Sequence, residues 1–116
     1  MTTESREQRV FLALADPTRR RLLEKLTADG RKPATELAQE MPITRQGISK
    51  HLQILARAGL VQVNKSGRDR YYSFIPAPLD EAVTWVTAVN DQWDRRLRAL
   101  GRFLADDQNK ADGGNK

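Results

Sequence analysis

Between Thr44 and Ala58 the chain gathers side chains suited to a polyanion and includes no acidic residue. At about 100° of rotation per residue, Ile48, Leu52 and Leu55 share one side of a helix and must face a core. Gln46, Ser49, Lys50, Gln53 and Arg57 fall on the opposite side, with Arg45 on the flank near the N-terminus. The outward side is therefore cationic and rich in planar donors. An Arg fork matches guanine O6 and N7, and a Gln amide matches adenine N6 and N7, both in the major groove. Ser49 and Lys50 suit a base edge or a phosphate, and Thr44 sits where a helix N-terminus meets a phosphate. His51, the single histidine, lies on the border between the two sides and is a candidate for a phosphate contact. A face that served solubility alone would mix Glu with Lys. This one points to double-stranded DNA.

The elements that would hold this face in place are legible on either side of it. Residues 6–15 are helix-compatible, with Val10, Phe11 and Leu14 as apolar positions. Asp16-Pro17 starts a second helix: Asp caps free N–H groups, and Pro at the first helical position lacks the N–H that would be orphaned there. Leu22, Leu23 and Leu26 form its apolar stripe, and Asp29-Gly30 closes it. A short helix over 35–41 follows, then the turn at Pro42, and Thr44 is placed to cap the helix that runs to about Ala58. After Gly59 the period changes from that of a helix to that of a strand. Leu60–Val63 and Arg70–Ile75 read as a β-hairpin wing, with the polar segment 64–69 as its tip. Lys65, Arg68 and Arg70 on this wing are candidates for phosphate or minor-groove contact.

Beyond Pro78, apolar residues recur from Leu79 to Leu104 at helical spacing. Trp85, Trp93 and Phe103 add large apolar area. The expected fold is mainly α with a β-hairpin wing, a winged helix-turn-helix in the order α-α-α-α-β-β-α. One DNA-binding domain over 1–105 is expected, with a C-terminal dimerisation helix over about 79–105. The segment 106–116, almost without apolar residues, reads as a disordered tail.

The 116 residues carry 20 Lys and Arg against 15 Asp and Glu, a formal net charge of +5, which favours a polyanionic partner. No apolar run approaches the length that spans a bilayer, and the N-terminus lacks the cleavage pattern of a signal peptide. No membrane association is expected, and the expected location is the cytoplasm. There is no cysteine, which excludes a disulfide framework and a thiolate metal site. No glycine-rich phosphate loop, serine elbow or ligand cluster is present, so neither an enzyme nor a cofactor is expected.

The strings ALADPTRRRLLEKL, ATELAQEM, ITRQGISKHLQILARAGLV and GRDRYYSF resemble the ArsR family of bacterial winged-helix repressors. The likeness covers residues 9–75, with a compatible helix beyond. It implies a homodimer whose first and last helices form the interface, bound to an inverted-repeat operator on the nucleoid and repressing transcription. Val10, Phe11 and Leu14, with Val86, Val89, Trp93, Leu97 and Leu100, are the interface residues expected from it. The same likeness implies that Gln46, Ser49 and Lys50 lie on the DNA-facing helix. The apolar stripe argues separately for a self-complementary two-fold contact. Many members of that family sense metals through cysteines on the helix before the reading helix, or through histidines and carboxylates on the last one. Here ATELAQEM has no cysteine and the last helix no histidine, while Asp80, Glu81, Asp91 and Asp94 suit only hard cations. The metal-independent branch, with no metal bound and an unnamed inducer, is the expected one. A transcriptional activator would share the same contacts. A winged helix serving protein–protein contact would carry an apolar outward face instead.

Overall fold

The structure, a computed structural model, describes residues 5–113, with side chains through Asp107. The elements are α1 (Arg6–Leu14), α2 (Pro17–Asp29), β1 (Lys32–Pro33), α3 (Ala34–Glu40), α4 (Arg45–Arg57), β2 (Val61–Ser66), β3 (Asp69–Phe74) and α5 (Ala77–Gly113). Two compact units divide the chain, one up to Ala82 and one from Val83.

In the first unit the sequence around Asp16 closes one helix and opens the next. Asp16 Oδ1 accepts from the backbone N–H of Thr18 at 2.8 Å and of Arg19 at 3.2 Å, with Pro17 at the first position of α2. The arginines that follow turn back to α1. Arg19 donates to the carbonyls of Ala13 and Leu12 at 2.7 and 3.0 Å, and Arg20 donates to that of Leu14 at 2.6 Å. Carbonyls that a helix end leaves without partners are thereby satisfied. Gly30, at φ 81°, ends α2 in a conformation that costs any other residue.

Leu22, Leu37, Ile48, Leu52, Leu55 and Leu60 are fully enclosed and centre one core, to which Leu23, Leu26 and Ala82 also belong. Each such leucine contributes about 1.5–3 kcal/mol by leaving water. Val10 belongs here as well. The sequence placed it at a subunit interface, but it is 1% exposed inside its own chain, so a partner has nothing left to bury. Leu14 packs against the same core, while Phe11 is 36% exposed.

The wing belongs to a three-stranded sheet in the order β1-β3-β2, antiparallel throughout. Lys32 pairs with Tyr72 and Pro33 with Tyr71, a strand the sequence did not reveal. The hairpin is longer than expected, since the ladder runs out to Ser66 opposite Asp69. Gly67, at φ 64°, makes this possible, because a two-residue turn with glycine first follows the twist of the strands. Lys32 is nearly buried, and ion pairs anchor it to Asp29 at 2.9 Å, Glu36 at 3.9 Å and Glu40. Glu40 also meets Lys25 at 3.4 Å. This cluster binds the end of α2 to α3. The hydrogen bond from Lys32 holds the Glu40 carboxyl below the usual carboxylate range, and those from Glu40 and Asp29 raise the Lys32 ammonium well above its ordinary value.

In the second unit α5 exposes Val86, Val89, Trp93, Leu97 and Leu100, each roughly half accessible. The helix continues to Gly113 rather than giving way to a disordered tail at 106. No proline or glycine intervenes between Phe103 and Gly113 to stop the hydrogen-bond ladder. Residues 114–116 of that expected tail lie outside the described residues.

Candidate nucleic-acid interface

The backbone of α4 begins at a made cap. The N–H of Gly47 donates to Thr44 Oγ1 at 3.1 Å, so the threonine hydroxyl serves the helix itself. Gly47 has a second reason for being glycine: a Cβ there would stand 2.8 Å from Ile43 Cγ2 and 3.2 Å from Thr44 Oγ1. The turn from α3 into α4 is this close because nothing projects from residue 47.

With Ile48, Leu52 and Leu55 in the core, the polar side of α4 separates into three rows. Arg45, Ser49 and Gln53, spaced at i, i+4 and i+8, border a groove of about 410 Å³ whose far wall is the wing. Arg68, Asp69 and Arg70 line that wall with Tyr72 and Val63, and Pro33, Ala34 and Thr35 also border the groove. Gln46 and Lys50 are exposed on the outward side. Arg57 is exposed too, but it borders a shallow pocket with Arg9, Leu12 and Ile54, away from the wing. His51 is half-buried and turned toward α2, where its Nδ1 lies 3.4 Å from Arg19 Nη1. The expected single polar face is therefore a base-sized outward row, a groove-facing row and a flank.

Charge on the wing has the same sense. Lys65 and Arg70 are direct cross-strand partners and project to one face, the face that carries Val63 and Tyr72. Like charges in that relation repel and cost stability. An anion bound between them removes the cost. On the other face Arg31 stacks over the Tyr71 ring at 4.6 Å and stiffens the hairpin stem. The groove between α4 and the wing is thus lined by Arg45, Arg68 and Arg70 against one carboxylate, Asp69. Its chemistry suits a phosphodiester strand, with amide and ammonium donors of Gln46 and Lys50 beside it for base edges.

Behind this surface, burial opposes the charge of Asp16. The N–H groups of Arg19 and Thr18 and the nearby Arg19 and His51 outweigh it, and the carboxyl sits below the ordinary value. A carboxyl lowered in this way stabilises the fold above the ordinary carboxylate range, and its contribution fades as pH falls through the folded-state value. Among the described residues no cluster of three or more His, Cys, Asp or Glu is placed to hold a metal ion, and no helix is long and apolar enough to cross a membrane. What the sequence did not reveal is the role of Arg19, which lies 32 positions from His51.

Residues 14–64 match the family described as "Helix-turn-helix domain". The chain is 33% identical over 88 residues to the transcriptional repressor SdpR of Bacillus subtilis (strain 168), covering 76% of this chain and 97% of that protein. It is 39% identical over 104 residues to the HTH-type transcriptional regulator Rv2034 of Mycobacterium tuberculosis (strain H37Rv), covering 90% of this chain and 94% of the relative. Among solved structures it superposes on an ArsR-like transcriptional regulator from Rhodococcus sp. RHA1 with a TM-score of 0.75 and 36% identity, over 84% of this chain and 92% of the other. The family match takes in the helix-turn-helix that carries Arg45, Ser49 and Gln53. The chain belongs to the ArsR family of winged helix-turn-helix proteins, DNA-binding transcriptional regulators and not enzymes.

Proposed function

We propose that this regulator is a homodimeric repressor that reads an inverted-repeat operator, one half-site per α4. The carrying observation is the acid-free outward row of α4 beside a groove lined by Arg45, Arg68 and Arg70. Gln46 reads a base edge in the major groove, while Lys50, Arg45, Ser49, Gln53 and the wing residues Lys65, Arg68 and Arg70 hold the phosphodiester strand. Thr44 presents the start of the helix to the same strand, Arg57 stands on its outer flank, and His51 supports the helix from behind. The apolar residues of α5, with Phe11 and Leu14 of α1, supply the two-fold contact. That contact sets the two reading helices one DNA turn or a multiple apart. Regulation does not run through a thiolate-bound metal, since the chain has no cysteine. The protein acts in the bacterial cytoplasm, on the nucleoid.

Fluorescence anisotropy on a duplex from upstream of its own coding sequence tests this reading. Binding should be saturable at low salt and fall steeply as salt rises, because each neutralised phosphate releases a counterion. With six phosphate contacts the logarithmic slope is about −5. Absence of binding at low salt would defeat the proposal.

A further inference from the structure

One guanidinium joins three helices of the first unit. Arg19 Nε and Nη2 hold the Ala13 and Leu12 carbonyls at the end of α1, and its Nη1 reaches His51 on α4. Asp16 Oδ2, at the start of α2, lies 3.8 Å from that same Nη1. The Arg19 side chain is only 14% exposed. Closing α1 would need only the two carbonyl bonds. The third contact reaches the helix that carries Gln46 and Lys50, one residue before His51.

We propose that Arg19 is a positioning residue for DNA reading, fixing the rotation of α4 through His51 so that the state of the α1–α2 corner is felt at Gln46 and Lys50. The proposal rests on the reading of α4 as the helix that enters the groove. Arginine has donors and no acceptor, so a hydrogen bond at this contact needs His51 Nδ1 as the acceptor. The joint is therefore sensitive to whether Nδ1 carries a proton. Protonation removes the acceptor and sets two cations 3.4 Å apart. Asp16 is the carboxylate of α2 at this corner and offsets part of that repulsion. α1 presents main-chain carbonyls to the guanidinium, and its Arg9 borders α4 further along, at Ile54 and Arg57. On α4 itself the neighbouring Lys50 is exposed. Acidification thus loosens α4 and weakens DNA binding. A direct contact between His51 and a phosphate has the opposite sign, because protonation then adds a cation facing DNA.

Anisotropy titrations from pH 7.5 to 5.5 at fixed ionic strength, on a duplex this protein has enriched from a random-sequence pool, separate the two. The chain has one histidine, and His51→Asn shows whether the window reports on it. Wild type should lose about fivefold in affinity, the scale of one hydrogen bond. In His51→Asn the amide oxygen replaces Nδ1 as a non-titrating acceptor, and the pH slope should vanish. Arg19→Lys, which keeps the charge but lacks the fork, should bind more weakly at pH 7.5 and show a flatter profile. A rise in affinity on acidification, a flat wild-type profile, an unchanged slope in His51→Asn, or loss of helical circular dichroism over the same range would each overturn the proposal. Lys50→Ala at pH 7.5 is the control. If it leaves affinity unchanged, the reading of α4 falls and this proposal with it. If it weakens binding while the wild-type profile is flat, only the role of Arg19 falls.

Discussion

At the scale of single residues, two neighbouring side chains of one row divide reading from holding. Gln46 and Lys50 are both exposed on the outward side of α4, but their chemistry differs. The Gln46 amide offers a matched donor and acceptor to adenine, a geometry worth about 1–3 kcal/mol between right and wrong bases. The Lys50 ammonium is a point charge that a phosphate on any sequence attracts. Gln46→Ala should therefore relax base preference while leaving affinity for random duplex nearly intact. Lys50→Ala should weaken all duplexes together and reduce the salt slope by about one. Competition titrations with operator and scrambled DNA measure both, and equal effects of the two substitutions on both duplexes would count against the division. These residues were legible in the sequence because a helix face is a local property, set by spacing alone. Val10 was not, since Val10, Phe11 and Leu14 lie close together on α1 and spacing does not say which one turns inward. Arg19 and Lys32 were missed for another reason. Their partners are spread over α1, α2, α3 and α4, and only the folded chain brings them together.

At the scale of elements, the turn between α3 and α4 sets the angle at which the reading helix leaves the domain. Gly47 lies where two opposing effects can be compared. Helix propensity favours alanine there by about 1 kcal/mol. Against this, the new methyl would press on Ile43 Cγ2, a branched and stiff group, and on the Thr44 hydroxyl that caps the helix. Overpacking costs about 1–3 kcal/mol and a weakened cap about 1 kcal/mol. Gly47→Ala should therefore destabilise the protein by about 1–2 kcal/mol, seen as a fall in Tm of several degrees. An unchanged or raised Tm would mean that the turn has room to spare. The element order was legible because caps and breakers (Asp16-Pro17, Gly30, Thr44, Gly59) mark most boundaries. β1 escaped notice because two residues, one of them proline, carry no periodicity. The far end of α5 was harder to read, because low apolar content suggests a tail from 106 while no proline or glycine lies between Phe103 and Gly113 to end the helix.

At the scale of the whole molecule, exposed apolar area is concentrated on α5. Val86, Val89, Trp93, Leu97 and Leu100 are each 46–55% exposed, and such a stripe marks an interaction surface. On the reading above it is covered by a second copy. Leu97→Glu places a charge in the middle of the stripe and should convert the protein to a monomer at micromolar concentration by sedimentation. DNA affinity should fall by about 10²-fold or more as the second reading helix is lost. Far-UV circular dichroism should still report a folded chain, because Leu97 lies outside the core of the first unit. A dimer that survives the change would show that association runs through another surface.

The short strand that the sequence concealed has a bearing on what kind of assembly this chain can form. β3 is the inner strand, so the free edges of the sheet belong to β1 and β2. At one edge Pro33 has no N–H to offer an incoming strand, and β1 is two residues long. At the other, β2 carries Lys65, whose charge two copies would have to bring together. Neither border is a good template for another backbone. A protein held at high local concentration on DNA is thereby protected from growing edge to edge into fibres, which leaves helix-to-helix contact for the two-fold assembly proposed above.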